Sequence, residues 1–259
     1  MTDELFEKIT KRFEAYVGRY RDAAGELPAM HELKWRHTAG VVEDARRIMA
    51  AEKWTESQTM LGRTAALLHD IGRFSQLAEF GTFRDSLSVD HAVRGCEVIA
   101  AEGILAGVSA RSTGLITGAV RLHNGREIPL LNDSELLALV NLVRDADKLD
   151  IFRVFEEAVE ENRFATNPEI AWNMSMAGEV SEAVLEALEM GRSVDHSDIK
   201  TFYDFVMSQV AWLNGGLVYA ESRRLACERR VLEYRERLVM EQCESRRLQE
   251  IFAHLRDKT

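Results

Sequence analysis

Six residues of metal-binding type recur along the chain at near-regular intervals: His37, the adjacent pair His69 and Asp70, His91, His123 and Asp147. The steps from His37 to His69, to His91, to His123 and to Asp147 are 32, 22, 32 and 24 residues. Each step is the length of one helix plus a loop, so the series predicts side chains supplied by successive helices and meeting inside a bundle. Four of the seven histidines belong to the series. Neighbouring His69 and Asp70 point in different directions on a regular helix. They can share a site only at a helix end, and Gly72, just after them in AALLHDIGRF, suits a helix stop.

The rest of the chain agrees with an all-α fold. It has only three prolines, and apolar residues recur at helical spacing far more often than they alternate. Helices are expected over 3–23, 32–52, 57–69, 90–103 (capped by Ser88 or Asp90), 109–123, from Asp133 or Ser134 to Leu149, 150–163, 179–191 and 197–214. One long charged helix, bent or broken, is expected over about 217–257. Residues 71–89 read mostly as loop. The expected organisation is a metal-binding helical core over 1–163, then a C-terminal helical extension over 164–259 packed on that core. Residues 164–178 (FATNPEIAWNMSMAG) form the connection.

A length of 259 residues allows one large domain, or a domain with an extension. Asp and Glu outnumber Lys and Arg by 43 to 33, for a formal net charge of −10. That disfavours non-specific nucleic-acid binding, which needs clustered positive charge. The three cysteines, Cys96, Cys227 and Cys243, have no CxxC spacing, so neither a disulfide framework nor a zinc knuckle is expected. No apolar stretch reaches the roughly 20 residues that span a membrane. The N-terminus MTDELFEKITKRFEAY is charged and amphipathic rather than a signal peptide, so a cytoplasmic location is expected.

The pattern H…HD…D resembles the HD-domain superfamily of metal-dependent phosphohydrolases. His37, His69, Asp70 and Asp147 match its four defining positions, and His91 and His123 match the subset with six ligands and two metals. The segments HDIGRF, SVDHAVRG, VRLHN and RDADKLD are similar to HD-family segments, and the resemblance covers roughly residues 30–155. It implies an HD-type helical bundle and one or two divalent ions, with Fe, Mn, Co, Ni, Zn or Mg as candidates. Asp70 would be the natural bridge between two metals, with His37, His69 and Asp147 completing one centre and His91 and His123 the other. The cyclic di-GMP phosphodiesterase subgroup carries a GYP motif where this chain has HNGREIP, so that activity is not favoured.

The expected activity is hydrolysis of a phosphate ester of a small molecule or nucleotide by metal-activated water. Catalytic roles are expected for Asp70 and for three cations that could meet the phosphate: Arg73, Arg94 and Lys148. Asp150 is a candidate partner that orients a ligand. Residues 74–88 are expected to line or cover the site, with Phe74, Phe80 and Phe83 packing under the loop rather than stacking on a base. His31, His196 and His254 read as surface or structural. Two rival readings share the ligand pattern: a mixed-valent di-iron oxygenase of the inositol- or phosphonate-oxidising type, and a non-catalytic ligand-binding HD protein. The charged C-terminal stripe reads as a helix packed on its own domain, with a homodimer contact as the alternative.

Overall fold

The computed structural model describes residues 2–257 except 172, 173, 175, 176 and 244, and contains no strand among them. The all-α expectation is met. No helix is long and apolar enough to cross a membrane among the described residues. The chain forms two compact units, Met1–Ile151 and Phe152–Thr259.

The first unit contains α1 (Asp3–Gly18), α2 (Ala29–Ala51), α3 (Glu56–Leu68), α4 (Gly72–Phe80), α5 (His91–Ala101), α6 (Ala110–Leu122) and the first part of α7 (Ser134–Glu160). Local chemistry sets most of the starts. The Thr55 hydroxyl accepts from the Gln58 amide while the Gln58 side chain returns to Thr55, a capping box that opens α3. Of the two expected caps of α5 it is Asp90 that acts, accepting from the Ala92 and Val93 amides. Asp133 accepts from the Glu135 and Leu136 amides at the start of α7.

Helix α2 packs on α3 and α4, α3 on α1 and α6, and α5 on α4 and α6. Their apolar faces close around Ile9, Phe13, Leu68, Ile71, Phe74, Ile116 and Val140. His31 is structural, as expected, but buried. Its Nε2–H donates to the Phe74 carbonyl at 3.1 Å, and its ring stacks on Tyr20 with centroids 5.0 Å apart.

Two local expectations are corrected, and the break expected in the C-terminal helix is located. Residues 72–80 are a helix, not loop, because Gly72 starts α4 rather than stopping α3. The stop of α4 is Gly81, left-handed at φ 67°. The helices expected over 134–149 and 150–163 are one continuous α7. The compact units accordingly part within α7, at 151/152, whereas the sequence reading places its boundary at 163/164. Leu139, Val140 and Val143 enter the first core, while Phe155 and Ala158 enter the second. The long C-terminal helix is three helices in the second unit: α11 (Ala220–Glu228), α12 (Val231–Met240) and α13 (Arg246–Arg256). Arg230 takes a left-handed φ of 55° between the first two, and Ser245 caps the third.

The second unit also contains α8 (Arg163–Thr166), α9 (Glu182–Glu189) and α10 (Phe202–Leu213). At its centre is a wholly buried Arg235. The guanidinium pairs with Glu156, donates to Gln209 Oε1 at 2.9 Å and to the Phe152 carbonyl at 3.1 Å, and lies over the Phe152 and Phe155 rings.

Candidate metal centre

The sequence series converges at the ends of the helices of the first unit. His37 lies in the middle of α2. His69 and Asp70 form the turn between α3 and α4, so the helix ends beneath the pair, as the sequence required. His91 opens α5, His123 closes α6, and Asp147 lies on α7. All four histidines and Asp70 are buried. Two glycines make room for this. A Cβ at Gly72 would sit 2.3 Å from the His91 carbonyl oxygen and 2.7 Å from the Gly95 amide nitrogen, so only glycine lets α4 start against the first turn of α5. A Cβ at Gly40 would sit 1.8 Å from Asp150 Oδ1.

The two oxygens of Asp70 face two different groups. Oδ2 lies 3.7 Å from His37 Nε2 and 3.6 Å from His69 Nε2, and Oδ1 lies 3.4 Å from His91 Nε2 and 3.8 Å from His123 Nε2. Asp147 Oδ1 adds to the first group, 3.0 Å from His37 Nε2 and 3.7 Å from His69 Nε2. Two sets of three, His37 with His69 and Asp70 and Asp70 with His91 and His123, are each close enough to hold a metal ion.

Each of these four histidines presents Nε2 inward because its Nδ1–H is bound outside. His37 donates to Asp150 at 2.7 Å, His69 to the Ala66 carbonyl at 2.8 Å, His91 to Asp85 at 2.6 Å and His123 to the Val120 carbonyl at 2.6 Å. With Nδ1 carrying the proton, each neutral ring has a bare lone pair on Nε2. The His91 and His123 lone pairs then face each other at 3.2 Å. Nε2 of His37 and of His69 is buried and makes no hydrogen bond. Converging lone pairs and carboxylate oxygens repel one another unless a cation lies between them, so the residues present fit a metal.

The electrostatics prepare the same state. Burial, against the pull of Asp70 and Asp147, lowers the His69 pKa to about 4. Burial and Arg73 lower His91 to about 4. Both rings are therefore neutral near pH 7. Burial and Lys34 also oppose a charge on His37, but Asp147 and Asp150 outweigh them and raise its pKa, so a proton and a metal compete for its Nε2. Burial alone would raise the Asp70 pKa. Lys34, His69, His123 and Arg73 hold it well below the usual range, leaving an ionised carboxylate.

Around this shell lie two residues that the sequence reading passed over. Asp85, in a single helical turn over Asp85–Leu87, fixes His91 and accepts from Arg73 and Gln76 at 2.8 Å each. Lys34, one turn before His37 on α2, donates to Asp70 Oδ2 at 2.7 Å. Its place three residues before a ligand on a helix was the available signal. Asp85 had none, because its reach to His91 depends on the fold of the 81–90 segment.

Of the expected cations, Arg73 lies nearest, with Nε 3.5 Å from Asp70 Oδ1. Its Nη1 also donates to Gln76, the Phe83 carbonyl and Asp85, which pins the segment after α4 against the site. The Arg94 guanidinium instead pairs with Glu79 at 2.9 Å and with Glu97. Burial and Arg144 lower the Lys148 pKa to about 8, against Asp145 and Asp147. Of the three aromatics, Phe74 is core, Phe80 is exposed, and Phe83 lies near both Lys34 and Arg73.

No curated protein and no solved structure matches the chain. Residues 35–151 match the HD domain family, a span that opens two residues before His37 and closes just past Asp150. The His/Asp cluster is compatible with the family's metal-binding motif, and this part of the chain is an HD domain.

Proposed function

We propose that this chain is a metal-dependent phosphohydrolase that cleaves a phosphate ester of a small molecule or nucleotide, with water as the nucleophile. We further propose that Asp70 bridges two divalent ions. The observation that carries the reading is the division of Asp70, with one carboxylate oxygen facing His37 and His69 and the other facing His91 and His123. Two divalent ions held there would polarise a phosphoryl oxygen and bring the pKa of water toward neutrality.

The roles of the chain's own residues follow from their contacts. Asp150 and Asp85 hold the His37 and His91 rings in the tautomer with Nε2 free. Arg73 keeps its Nε–H next to Asp70 without an acceptor, ready for a phosphoryl oxygen on that side. Its Nη1 contacts keep the guanidinium from moving away. No substrate contact is assigned to Arg94, whose charge is taken by Glu79 and Glu97, and Lys148 adds positive charge beside Asp147.

The test is a panel of phosphomonoesters, nucleotides and cyclic nucleotides with chelator-stripped protein reloaded with Mn, Fe, Co, Ni or Mg. Phosphate release with at least one metal, abolished in Asp70→Ala, supports the reading. Oxygen consumption without phosphate release favours the di-iron oxygenase, and an absence of any metal uptake overturns both.

A further inference from the structure

Lys34 places its ammonium on the carboxylate oxygen that also faces His37 and His69. Nζ donates to Asp70 Oδ2 at 2.7 Å, while the two imidazole nitrogens lie 3.7 and 3.6 Å from the same atom. An ammonium and a divalent ion are both cations, and each is best served by the lone pairs of that oxygen. Both cannot hold it at full strength. The lysine is built to move. Its charge ends a four-carbon stem, its side chain is 17% exposed against 4% for Asp70, and Asp70 is its one carboxylate partner among the described contacts. By contrast, Arg73 is fixed by three acceptors.

The ammonium already lies near a second contact that can hold a cation. The Phe83 ring is near both cations, with Lys34 Nζ 5.2 Å and Arg73 Cζ 5.8 Å from its centroid. Phe83 is held in place through its carbonyl, which accepts from Arg73 at 2.6 Å. A cation released from Asp70 can thus stay on the Phe83 ring, near the fixed Arg73 guanidinium. That pair, one mobile and one fixed, suits an anion with several oxygens, as in a terminal phosphate.

Resting on the metal-centre reading above, we infer that Lys34 is an exchangeable cation. It occupies Asp70 Oδ2 in the metal-free protein, leaves that oxygen when a divalent ion enters, and then binds the phosphate of the substrate together with Arg73. Lys34 therefore acts oppositely on two ligands. It weakens metal binding by competing for Asp70, and it strengthens phosphate binding by supplying a charge.

Calorimetry separates the two effects without an activity assay. Mn²⁺ is titrated into chelator-stripped protein, and inorganic phosphate into Mn²⁺-loaded protein, for the wild type, Lys34→Met and Lys34→Arg. Lys8→Met, which removes an exposed charge paired with Glu4, serves as the control. Lys34→Met is expected to bind Mn²⁺ several-fold more tightly and phosphate about tenfold or more weakly. Lys34→Arg is expected to recover most of the phosphate affinity, and Lys8→Met to match the wild type in both titrations. Thermal melts of each variant verify folding, and tighter metal binding by Lys34→Met cannot arise from a damaged fold. Wild-type protein that binds Mn²⁺, with both constants unchanged in Lys34→Met, overturns the role of Lys34 alone. Wild-type protein that binds no divalent metal overturns the metal centre, and this inference with it.

Discussion

Replacing Gly72 by alanine tests the packing that assembles the site. The added Cβ would sit 2.3 Å from the His91 carbonyl oxygen and 2.7 Å from the Gly95 nitrogen, both backbone atoms with no rotamer to relieve the contact. Ordinary contact lies near ~3.4 Å or beyond, so the start of α4 and the first turn of α5 must separate by about 1 Å. Overpacking of this kind costs about 1–3 kcal/mol, which lowers the melting temperature by roughly 3–10 °C for a protein of this size. The strain falls between the His69-Asp70 turn and His91, so the groups facing Asp70 Oδ1 shift by a similar distance. Sites of this type tolerate only about 0.5 Å, and Mn²⁺ affinity should fall about tenfold or more. Gly114→Ala is the matched control. Nothing lies within 4 Å of a Cβ there, and alanine in a helix gains up to ~1 kcal/mol over glycine. Melting curves and Mn²⁺ calorimetry on both variants give the answer. If Gly72→Ala melts with the wild type and binds Mn²⁺ equally, the close approach of α4 and α5 is not what builds the centre.

Other perturbations address separate contacts. Asp150→Ala leaves His37 Nδ1 without its acceptor and should weaken Mn²⁺ binding by about 10–100-fold while keeping the helical circular-dichroism signal; unchanged affinity would show that Asp150 does not position the ring. In metal-free protein, His69 and His91 have folded pKa values of about 4 against an ordinary value of 6.5, so the unfolded chain binds more protons between those pH values. Stability contributed by these neutral rings is present above pH 6.5 and is lost as pH falls toward 4, with His37 offsetting part of the loss. Melting temperatures of chelator-treated protein that stay flat from pH 7 to 5 would contradict this. In the second unit, Glu156→Ala removes a partner of the fully buried Arg235 and should cost about 3–5 kcal/mol in thermal or urea unfolding; a loss below ~1 kcal/mol would mean that Gln209 and the Phe152 carbonyl satisfy the guanidinium unaided.

The spacing of the ligand-type residues made much of the site legible in advance. His37, His69, Asp70, His91, His123 and Asp147 lie on successive helices or helix ends, and a run of helix-length intervals can deliver them to one place. Asp150 was also legible, one turn beyond Asp147 on α7. What escaped were contacts that depend on three-dimensional closure. Asp85 reaches His91 only through the turn at Asp85–Leu87, and Lys34 is a polar residue on a helix full of polar residues until Asp70 is placed beside it. Gly72 misled for a physical reason. Glycine ends helices, but it also permits close approach, and here the backbone of α5 decides between the two. A break in the C-terminal helix was expected, but its place at Arg230 was not legible, because an arginine in the left-handed region carries no local signature while its neighbours keep helical spacing.

The sharing of Asp70 by two metals is tested by the stoichiometry of Mn²⁺ binding to chelator-stripped protein, measured by calorimetry and elemental analysis on the wild type, the His91→Ala, His123→Ala double variant and Asp70→Ala. Two equivalents per chain are expected in the wild type, one in the double histidine variant and none bound tightly in Asp70→Ala. A wild type that binds a single equivalent and keeps it when His91 and His123 are removed would contradict the shared centre. Full metal content in Asp70→Ala would contradict the role of Asp70 itself.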